Sequence, residues 1–227
     1  MLLARHGETV SNVEGRWQGQ TDSPLTERGL AQARELARAL ADEPISAVYA
    51  SDLGRAFTTA AEVARPHGLT VVAEERLREL DVGRWTGRLG AEIRESEPDR
   101  MALWRDRPAD LRIPEGETLA QAQHRALAFL EEALPRHQGQ TVVVITHGAL
   151  TQCILVAAMG RPLTDLWLKE RIQNCQLSRL DWAPGSPDGL RLVELADVRH
   201  LAEVGSLTVW RVADARHTPD VPREAAD

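Results

Sequence analysis

Residues Leu2–Thr9 read LLARHGET, an apolar run that stops abruptly at an Arg-His-Gly triplet. The apolar part predicts a short buried strand, and Gly7 lets the backbone turn sharply beside a ligand because it has no Cβ. Arg5 and His6 would then lie at the carboxyl end of that strand. Open α/β sheets bind ligands at this edge, close to helix N-termini that attract anions. A guanidinium beside an imidazole there indicates an oxyanion such as phosphate.

A second junction of this kind follows the predicted strand Ile45–Ala50. Ser51 or Asp52 is suited to be the N-cap of the next helix, which would place Arg55 in its first turn. A cation is disfavoured at the positive end of a helix dipole unless it faces an anion. The alternative is that Arg55 forms an ion pair with Asp52 or Glu62.

A third junction follows Val142–Ile145, a continuous β-branched run typical of a strand buried on both faces of a parallel sheet. This run ends in Thr146, His147 and Gly148, so a second histidine-glycine pair follows a strand. An apolar helix is predicted after it, from Leu150 to Met159.

A candidate proton donor, Glu79, follows the predicted strand Leu69–Ala73. It alternates with the apolar residues Leu77, Leu80 and Val82, and an apolar setting suits a carboxyl group that must donate a proton. The alternative is a surface carboxylate that balances the neighbouring arginines.

The polar stretch Thr9–Pro24 predicts a loop that follows the first strand. It carries Asn12, Gln18 and Gly19, which are suited to hydrogen-bond a ligand. Thr26 is the predicted N-cap of the helix that comes next.

The segment from about 84 to 116 mixes charged residues with tryptophans and has broken helical periodicity. It predicts a lid over the crevice, in which substrate preference would reside. Trp17, Trp85 and Trp104 are interpreted either as an apolar wall for a ring or as packing residues. His124 and His137, on or after the amphipathic helix that follows Thr118, are interpreted as surface residues without partners.

The C-terminal part predicts a helical piece at Asp165–Arg171 and a hairpin of Leu177–Trp182 with Leu190–Leu195. We expect one domain over residues 1–205, and an extra strand and tail over residues 206–227. The strand at Ser206–Val212 is a candidate edge for pairing in a homodimer, and Thr218–Asp227 is predicted to be disordered.

The composition limits the functional classes. The chain has 227 residues and a net charge of −7, with a pI near 5.6, which argues against general affinity for nucleic acid or anionic membranes. Cys153 and Cys175 are predicted to be buried free thiols, with a disulfide between them as the alternative. The first strand begins at the N-terminus, which leaves no room for a signal peptide, and no apolar run reaches membrane-spanning length. We therefore expect a cytoplasmic protein.

The carboxyl ends of parallel strands meet at one edge of a sheet, so we expect the candidate groups to converge there. They are two imidazoles, two guanidinium groups and one carboxyl group: His6, His147, Arg5, Arg55 and Glu79. Arginines clamp phosphate oxygens, one imidazole attacks phosphorus, the other stabilises charge, and a carboxylic acid protonates the leaving oxygen. The set predicts phosphoryl transfer.

The sequence resembles the histidine phosphatase superfamily, in the branch shared with cofactor-dependent phosphoglycerate mutase. The resemblance covers about residues 1–201, and a bulkier polar residue is more usual than Gly54. It is carried by eight stretches: Arg5–Thr9, Asn12 with Gln18-Gly19, Asp22–Thr26, Ser51–Ala56, Leu77–Leu80 with Gly83–Gly87, Thr146–Gly148, Asn174-Cys175 and His200-Leu201.

The resemblance implies a three-layer α/β/α sandwich with a mostly parallel central sheet and a reaction that needs no metal or cofactor. By this resemblance His6 would become a phosphohistidine, while Glu79 would first donate a proton and later activate water. Arg5, Arg55 and His147 would hold the phosphoryl group. The remaining expected substrate-binding residues are Asn12, Gln18, Gly19 and Gly148.

We expect a phosphomonoesterase for a small phosphorylated metabolite, such as a sugar phosphate or a phosphoglycerate-like compound. A phosphoglycerate mutase is the main alternative, but resembling mutases carry a longer basic insertion than residues 88–114. A module that binds phosphorylated ligands without catalysis is a further alternative. A metallohydrolase with His6, His147 and Glu79 as ligands is disfavoured, because Arg5 and Arg55 would repel the cation.

Overall fold

The computed structural model describes residues 1–166, 172–183 and 189–205. Within these ranges six strands form one mixed sheet in the order β3-β2-β4-β1-β5-β6. Their bounds are β1 Leu2–Arg5, β2 Ile45–Ala50, β3 Val71–Ala73, β4 Thr141–Thr146, β5 Leu177–Trp182 and β6 Leu190–Asp197. The first four strands run parallel, and β5 is antiparallel to both of its neighbours. The mostly parallel sheet and the hairpin of β5 and β6 are confirmed.

Seven α-helices lie in the same described ranges. They are α1 Val10–Glu14, α2 Glu27–Ala39, α3 Gly54–Ala64, α4 Gly90–Ser96, α5 Pro98–Asp106, α6 Leu119–Ala133 and α7 Gly148–Ala158. None of these helices is long and apolar enough to cross a membrane.

The central strand β4 shows how the layers are built. Val142 and Val144 pack into the core that contains α6 and α7, whereas Val143 and Ile145 pack into the core that contains α2 and α3. Successive side chains of a strand point to opposite faces, so a continuous apolar run serves a sheet covered on both sides. The α/β/α sandwich is therefore confirmed.

Helix α1 lies inside the stretch for which the sequence predicted a loop. Thr9 is its N-cap and accepts a hydrogen bond from the Asn12 amide, while the Asn12 side chain accepts one from the Thr9 amide. The C-cap of the helix is Gly15, whose φ of 72° suits a residue without a Cβ. The prediction was wrong because this reciprocal cap uses Asn in place of the usual Glu or Gln.

The N-terminus of α3 also differs from the prediction. Its N-cap is Leu53, which has no side-chain cap, and not Ser51 or Asp52. The carboxylate of Asp22, a distant residue in sequence, accepts a hydrogen bond from the Gly54 amide at 3.0 Å. Arg55 nevertheless lies in the first turn, as predicted.

The segment at 84–116 contains α4 and α5, and its role as a lid remains a prediction. Trp17 packs edge-to-face on Trp85 and Trp104, with ring centroids 4.9 and 5.1 Å apart. All three rings are buried. These residues therefore pack in a core, which is the second of the two interpretations.

Other predictions on single residues have mixed outcomes. Cys153 and Cys175 are buried free thiols, as predicted. His137 was wrongly predicted to lack partners, since its ring bonds the hydroxyl of Tyr49 and the amide oxygen of Gln140. Three predictions fall wholly or mostly outside the described residues: the helical piece at Asp165–Arg171, the strand at Ser206–Val212 and the tail at Thr218–Asp227.

Candidate active site

The two histidines meet because β1 and β4 are adjacent and in register. Arg5 lies opposite Thr146, and the His6 amide donates to the Thr146 carbonyl at 2.9 Å. His6 and His147, the next residues along each strand, have ring centroids 5.1 Å apart at an interplanar angle of 62°. Both rings are buried.

The geometry of His6 suits a nucleophile. Its Nδ1 lies 2.7 Å from the Gly7 carbonyl oxygen, which can only accept, so Nδ1 carries the proton and Nε2 keeps a lone pair. Burial lowers the pKa of His6 well below its usual value, and the charges of Arg55 and Arg5 lower it further. Gly7 is required here because a Cβ would lie 2.4 Å from the Gly29 carbonyl oxygen.

The Arg55 side chain is buried, and main-chain carbonyls hold it. Its Nη1 and Nη2 atoms donate to the carbonyls of Thr21 and Gly19, each at 2.7 Å, and its buried Nε has no partner among the described residues. Burial lowers its pKa. The Asp22 carboxylate lies 3.7 Å away and is mostly exposed to solvent.

The alternative ion pairs of Arg55 do not form. Asp52 accepts from Arg78 through both carboxylate oxygens, and Glu62 pairs with Arg65. Among the residues that the structure describes, no carboxylate oxygen lies within hydrogen-bond distance of the Arg55 guanidinium, since that of Asp22 is 3.7 Å away, so Arg55 can bind an anion.

Arg5 is held in a similar way. Its Nη1 donates to the Ile172 carbonyl at 2.9 Å, and its buried Nε has no partner in the described part of the chain. Burial lowers the pKa of this guanidinium to about 10. A Cβ built on Gly148 would lie 3.5 Å from Arg5 Nε and 3.7 Å from Glu79 Oε2, so Arg5 and Glu79 flank this glycine.

His147 is the N-cap of α7, and neither of its buried ring nitrogens has a partner among the described residues. Buried polar atoms in native proteins are nearly always hydrogen-bonded. Burial, and then the charge of Arg55, lower the pKa of His147 well below its usual value. A neutral imidazole with unpartnered nitrogens is therefore available to a ligand.

The Glu79 carboxylate contacts main-chain amides at the N-terminus of α7, a polar setting that differs from the apolar one that the sequence predicted. Its Oε1 accepts from the amides of Leu80 and Leu150, and its Oε2 accepts from the Ala149 amide. It is half-buried, which also contradicts the surface alternative. Alternation in the sequence did not reveal this setting because residues 79–82 form no strand.

Asn12 and Gln18 surround Thr9. The Asn12 side-chain oxygen accepts from the Thr9 amide, and the Gln18 side-chain oxygen accepts from the Thr9 hydroxyl at 3.1 Å. An amide whose oxygen is occupied in this way offers its NH2 group to a ligand. Gly19, with a φ of 51°, presents its carbonyl to Arg55.

The structure adds two residues to which the sequence assigned no role. Asn174 donates to the His6 carbonyl at 3.0 Å and to the Asn12 side-chain oxygen at 3.2 Å. Its only sequence signal was that Asn174-Cys175 matched the resemblance. Arg125 bonds the Glu79 carbonyl from α6, and no local pattern marked it.

The metallohydrolase alternative would require a metal site. Within the residues described, no three His, Cys, Asp or Glu side chains are grouped as metal ligands. The cluster of two arginines with two imidazoles of lowered pKa is instead complementary to an oxyanion.

Comparisons with known proteins agree with this geometry. A family model described as histidine phosphatase superfamily (branch 1) matches residues 1–195. Phosphoserine phosphatase 1 of Hydrogenobacter thermophilus is 38% identical over 167 residues, 74% of this chain and 79% of that protein. Probable phosphoglycerate mutase GpmB of Yersinia pestis is 36% identical over 203 residues, 88% and 94% of the two chains.

A solved structure gives the same result. Bacillus stearothermophilus YhfR has a TM-score of 0.83 and 33% identity, covering 88% of this chain and 98% of its own. The chain belongs to the histidine phosphatase superfamily. The relatives within that superfamily include phosphoserine phosphatase 1 and a probable phosphoglycerate mutase, so phosphatase and mutase names both occur among the proteins that this chain resembles.

Proposed function

We propose that the protein is a metal-independent phosphomonoesterase that forms a phosphohistidine at His6 and acts on a small phosphorylated metabolite. One observation carries the proposal. Around an imidazole fixed through Nδ1 lie three buried groups, Arg5, Arg55 and His147, with nitrogens that have no hydrogen-bond partner in the described part of the chain. Such a site is incomplete until a tetrahedral anion fills it.

In the first step, Nε2 of His6 attacks phosphorus and the bond between phosphorus and the ester oxygen breaks. Glu79 gives its proton to the departing oxygen, so the product is a neutral alcohol. The nonbridging oxygens carry the negative charge, and Arg5, Arg55 and His147 donate to them.

In the second step, water attacks the phosphohistidine. Glu79, now a carboxylate, takes a proton from this water as the bond between nitrogen and phosphorus breaks. Inorganic phosphate leaves, and the enzyme regains a neutral His6 and a protonated Glu79.

The charges of the segment at 84–116 favour a phosphatase over a mutase. Five of its arginines pair with carboxylates of the same segment: Arg84 with Glu115, Arg88 and Arg100 with Glu97, Arg105 with Asp106, and Arg107 with Asp110. Neutralised arginines add little attraction for the second charged group of a mutase substrate. The 36% identity to probable phosphoglycerate mutase GpmB keeps the mutase as the second candidate.

The substrate class also rests on the relatives. The names of two relatives specify phosphoserine and phosphoglycerate, which are both small phosphate esters that carry a carboxylate. We propose that phosphate esters of this size are the first compounds to assay.

The test is a panel of phosphate esters assayed for released phosphate, with the His6→Ala variant and the exposed His124→Ala as its matched control. We expect the parent and His124→Ala to hydrolyse at least one ester and His6→Ala to hydrolyse none. Turnover by His6→Ala at the parent's rate would refute the proposal. Tight binding without turnover in the parent would favour a binding module.

The mutase alternative has its own assay. The protein is incubated with 3-phosphoglycerate, with and without the bisphosphate cofactor. We expect phosphate release to exceed isomer formation in both cases. Isomer formation that outpaces phosphate release would assign the protein as a mutase.

A further inference from the structure

The proton donor lies on a segment without regular secondary structure. Residues 79–82 form neither a strand nor a helix. Two side chains hold the Glu79 carbonyl instead: Nη2 of Arg125 donates to it at 3.0 Å, and Nε2 of Gln20 donates at 3.2 Å. The carboxylate on the same residue contacts the amides at the start of α7. Glu79 is therefore fixed from two opposite ends.

Arg125 bonds two other residues besides Glu79. Its guanidinium donates to four acceptors: the Arg76 carbonyl at 2.7 Å, the Glu79 carbonyl at 3.0 Å, and the two carboxylate oxygens of Glu117 at 2.7 and 2.9 Å. Only a planar fork with several donors can reach acceptors in such different directions. The side chains of Arg125 and Glu117 are both more than four-fifths buried. Their ion pair is therefore stronger than one between exposed side chains.

Glu117 also ties this pair to the segment of the proton donor. Its amide donates to the Asp81 carbonyl at 2.8 Å, and its carboxylate accepts from the Asp81 amide at 3.3 Å. A Cβ on Gly83 would lie 2.2 Å from the Pro114 carbonyl oxygen, so the two segments pack backbone against backbone. The segment that carries Glu79 is thus bonded to, and packed against, the segment that leads into α6.

We propose that Arg125, held in place by Glu117, is a positioning residue that sets the carboxyl group of Glu79 at the leaving oxygen of the substrate. This inference rests on the proposed function and deepens it. Arg125 touches no reacting atom in this scheme. Its effect passes through its hydrogen bond to the Glu79 carbonyl. A shift of the Glu79 carboxyl group by about 1 Å is enough to lose much of the contribution of this group to catalysis.

The experiment compares kcat/KM for two aryl phosphates, because this parameter reports departure of the leaving group. Phenol needs a proton as it leaves, whereas 2,4-dinitrophenolate leaves without one. Loss of a general acid therefore slows phenyl phosphate more than 2,4-dinitrophenyl phosphate. The ratio of the two kcat/KM values is independent of the folded fraction, because that fraction multiplies both values.

The variants are Arg125→Met, Glu117→Gln and Arg125→Lys, with Glu79→Gln as the reference for a lost proton donor. Arg136→Met is the matched control, since Arg136 is exposed and pairs only with Glu132 among the described residues. We expect the ratio of kcat/KM for 2,4-dinitrophenyl phosphate to kcat/KM for phenyl phosphate to rise about 100-fold in Glu79→Gln and about tenfold in Arg125→Met. These values follow from the contribution of general acids, which is roughly 10²–10⁴ in rate. Glu117→Gln and Arg125→Lys should give smaller changes of the same sign.

Each outcome decides the inference. A changed ratio in Arg125→Met with an unchanged ratio in Arg136→Met supports it. Equal losses for both substrates in Arg125→Met would overturn it, since a merely structural residue would act on both alike. If Arg125→Met yields no folded protein, the ratio in Glu117→Gln decides in the same way. Failure of the proposed function is distinct, because His6→Ala would then hydrolyse both esters.

Discussion

The arginines at the sheet edge and the arginines of the segment at 84–116 differ in what holds them. Arg5 and Arg55 are buried and bonded to main-chain carbonyls, whereas Arg84 and Arg105 are exposed and paired with carboxylates. A carbonyl orients a guanidinium without cancelling its charge, and a carboxylate cancels it. An acidic chain with a net charge of −7 can therefore still hold a positive pocket at one place.

Burying a charged guanidinium group lowers the stability of the fold unless an anion compensates its charge. Burial lowers the pKa of Arg5 to about 10, so the protein environment disfavours its charged form. A bound oxyanion would supply a counter-charge to this guanidinium. The burial that lowers the pKa of Arg5 thus also makes the pocket complementary to an oxyanion.

Of the changes that separate the two sets of arginines, the removal of one buried arginine should have the largest effect. Arg55→Met should lower kcat/KM by about 100-fold to 1,000-fold, the usual loss when one donor to a developing anion is removed. Steady-state kinetics with the best ester of the panel measures this change. Arg105→Met, the same substitution at an exposed ion pair, is the control and should stay within about twofold. Similar losses in both variants would break the comparison.

An intermediate effect is expected in the dependence of stability on pH. The pKa of His147 is lowered in the folded protein, so below about pH 6.5 the unfolded chain takes up a proton that the folded chain does not. The free energy of unfolding should therefore fall between pH 7 and pH 5.5. His147→Asn should reduce this fall by about 1 kcal/mol, as measured by denaturant titration.

The control for this measurement is the exposed His124. His124→Asn should leave the fall in stability unchanged, because its ring is solvated in both states. A fall of the same size in His147→Asn and in the parent would contradict the burial of a neutral His147.

The smallest effect is expected at the surface of the segment at 84–116. Arg84 and Glu115 are each about 65% exposed, and exposed ion pairs contribute little to stability. Arg84→Gln should leave the free energy of unfolding unchanged within the error of a denaturant titration, and it should change kcat/KM by less than about twofold. A large loss of activity would show that Arg84 reaches the substrate. Arg84 would then belong with the arginines at the sheet edge and not with the paired surface arginines.

The sequence was sufficient to predict the six strands that the structure describes and the convergence of the candidate groups. A β-branched run such as Val142–Ile145 specifies a buried parallel strand by itself, and residues after parallel strands meet at one edge. The position of Arg5, His6 and His147 follows from this rule alone.

The remaining features depend on contacts between residues far apart in the chain. Asp22 caps α3 across 32 positions, and Arg125 holds the Glu79 carbonyl across 46 positions. Two of the three amides that contact the Glu79 carboxylate belong to α7, 70 and 71 positions away. No local pattern encodes such contacts, because they form only when the layers pack.

The most direct test of the central claim is to trap the covalent intermediate. The enzyme is mixed with a phosphate ester, denatured at alkaline pH within milliseconds, and digested for peptide mass spectrometry. We expect phosphate on His6, bonded through Nε2, and none on any residue of His6→Ala. Phosphate on a different residue, or none on His6 while the ester is being hydrolysed, would contradict the account.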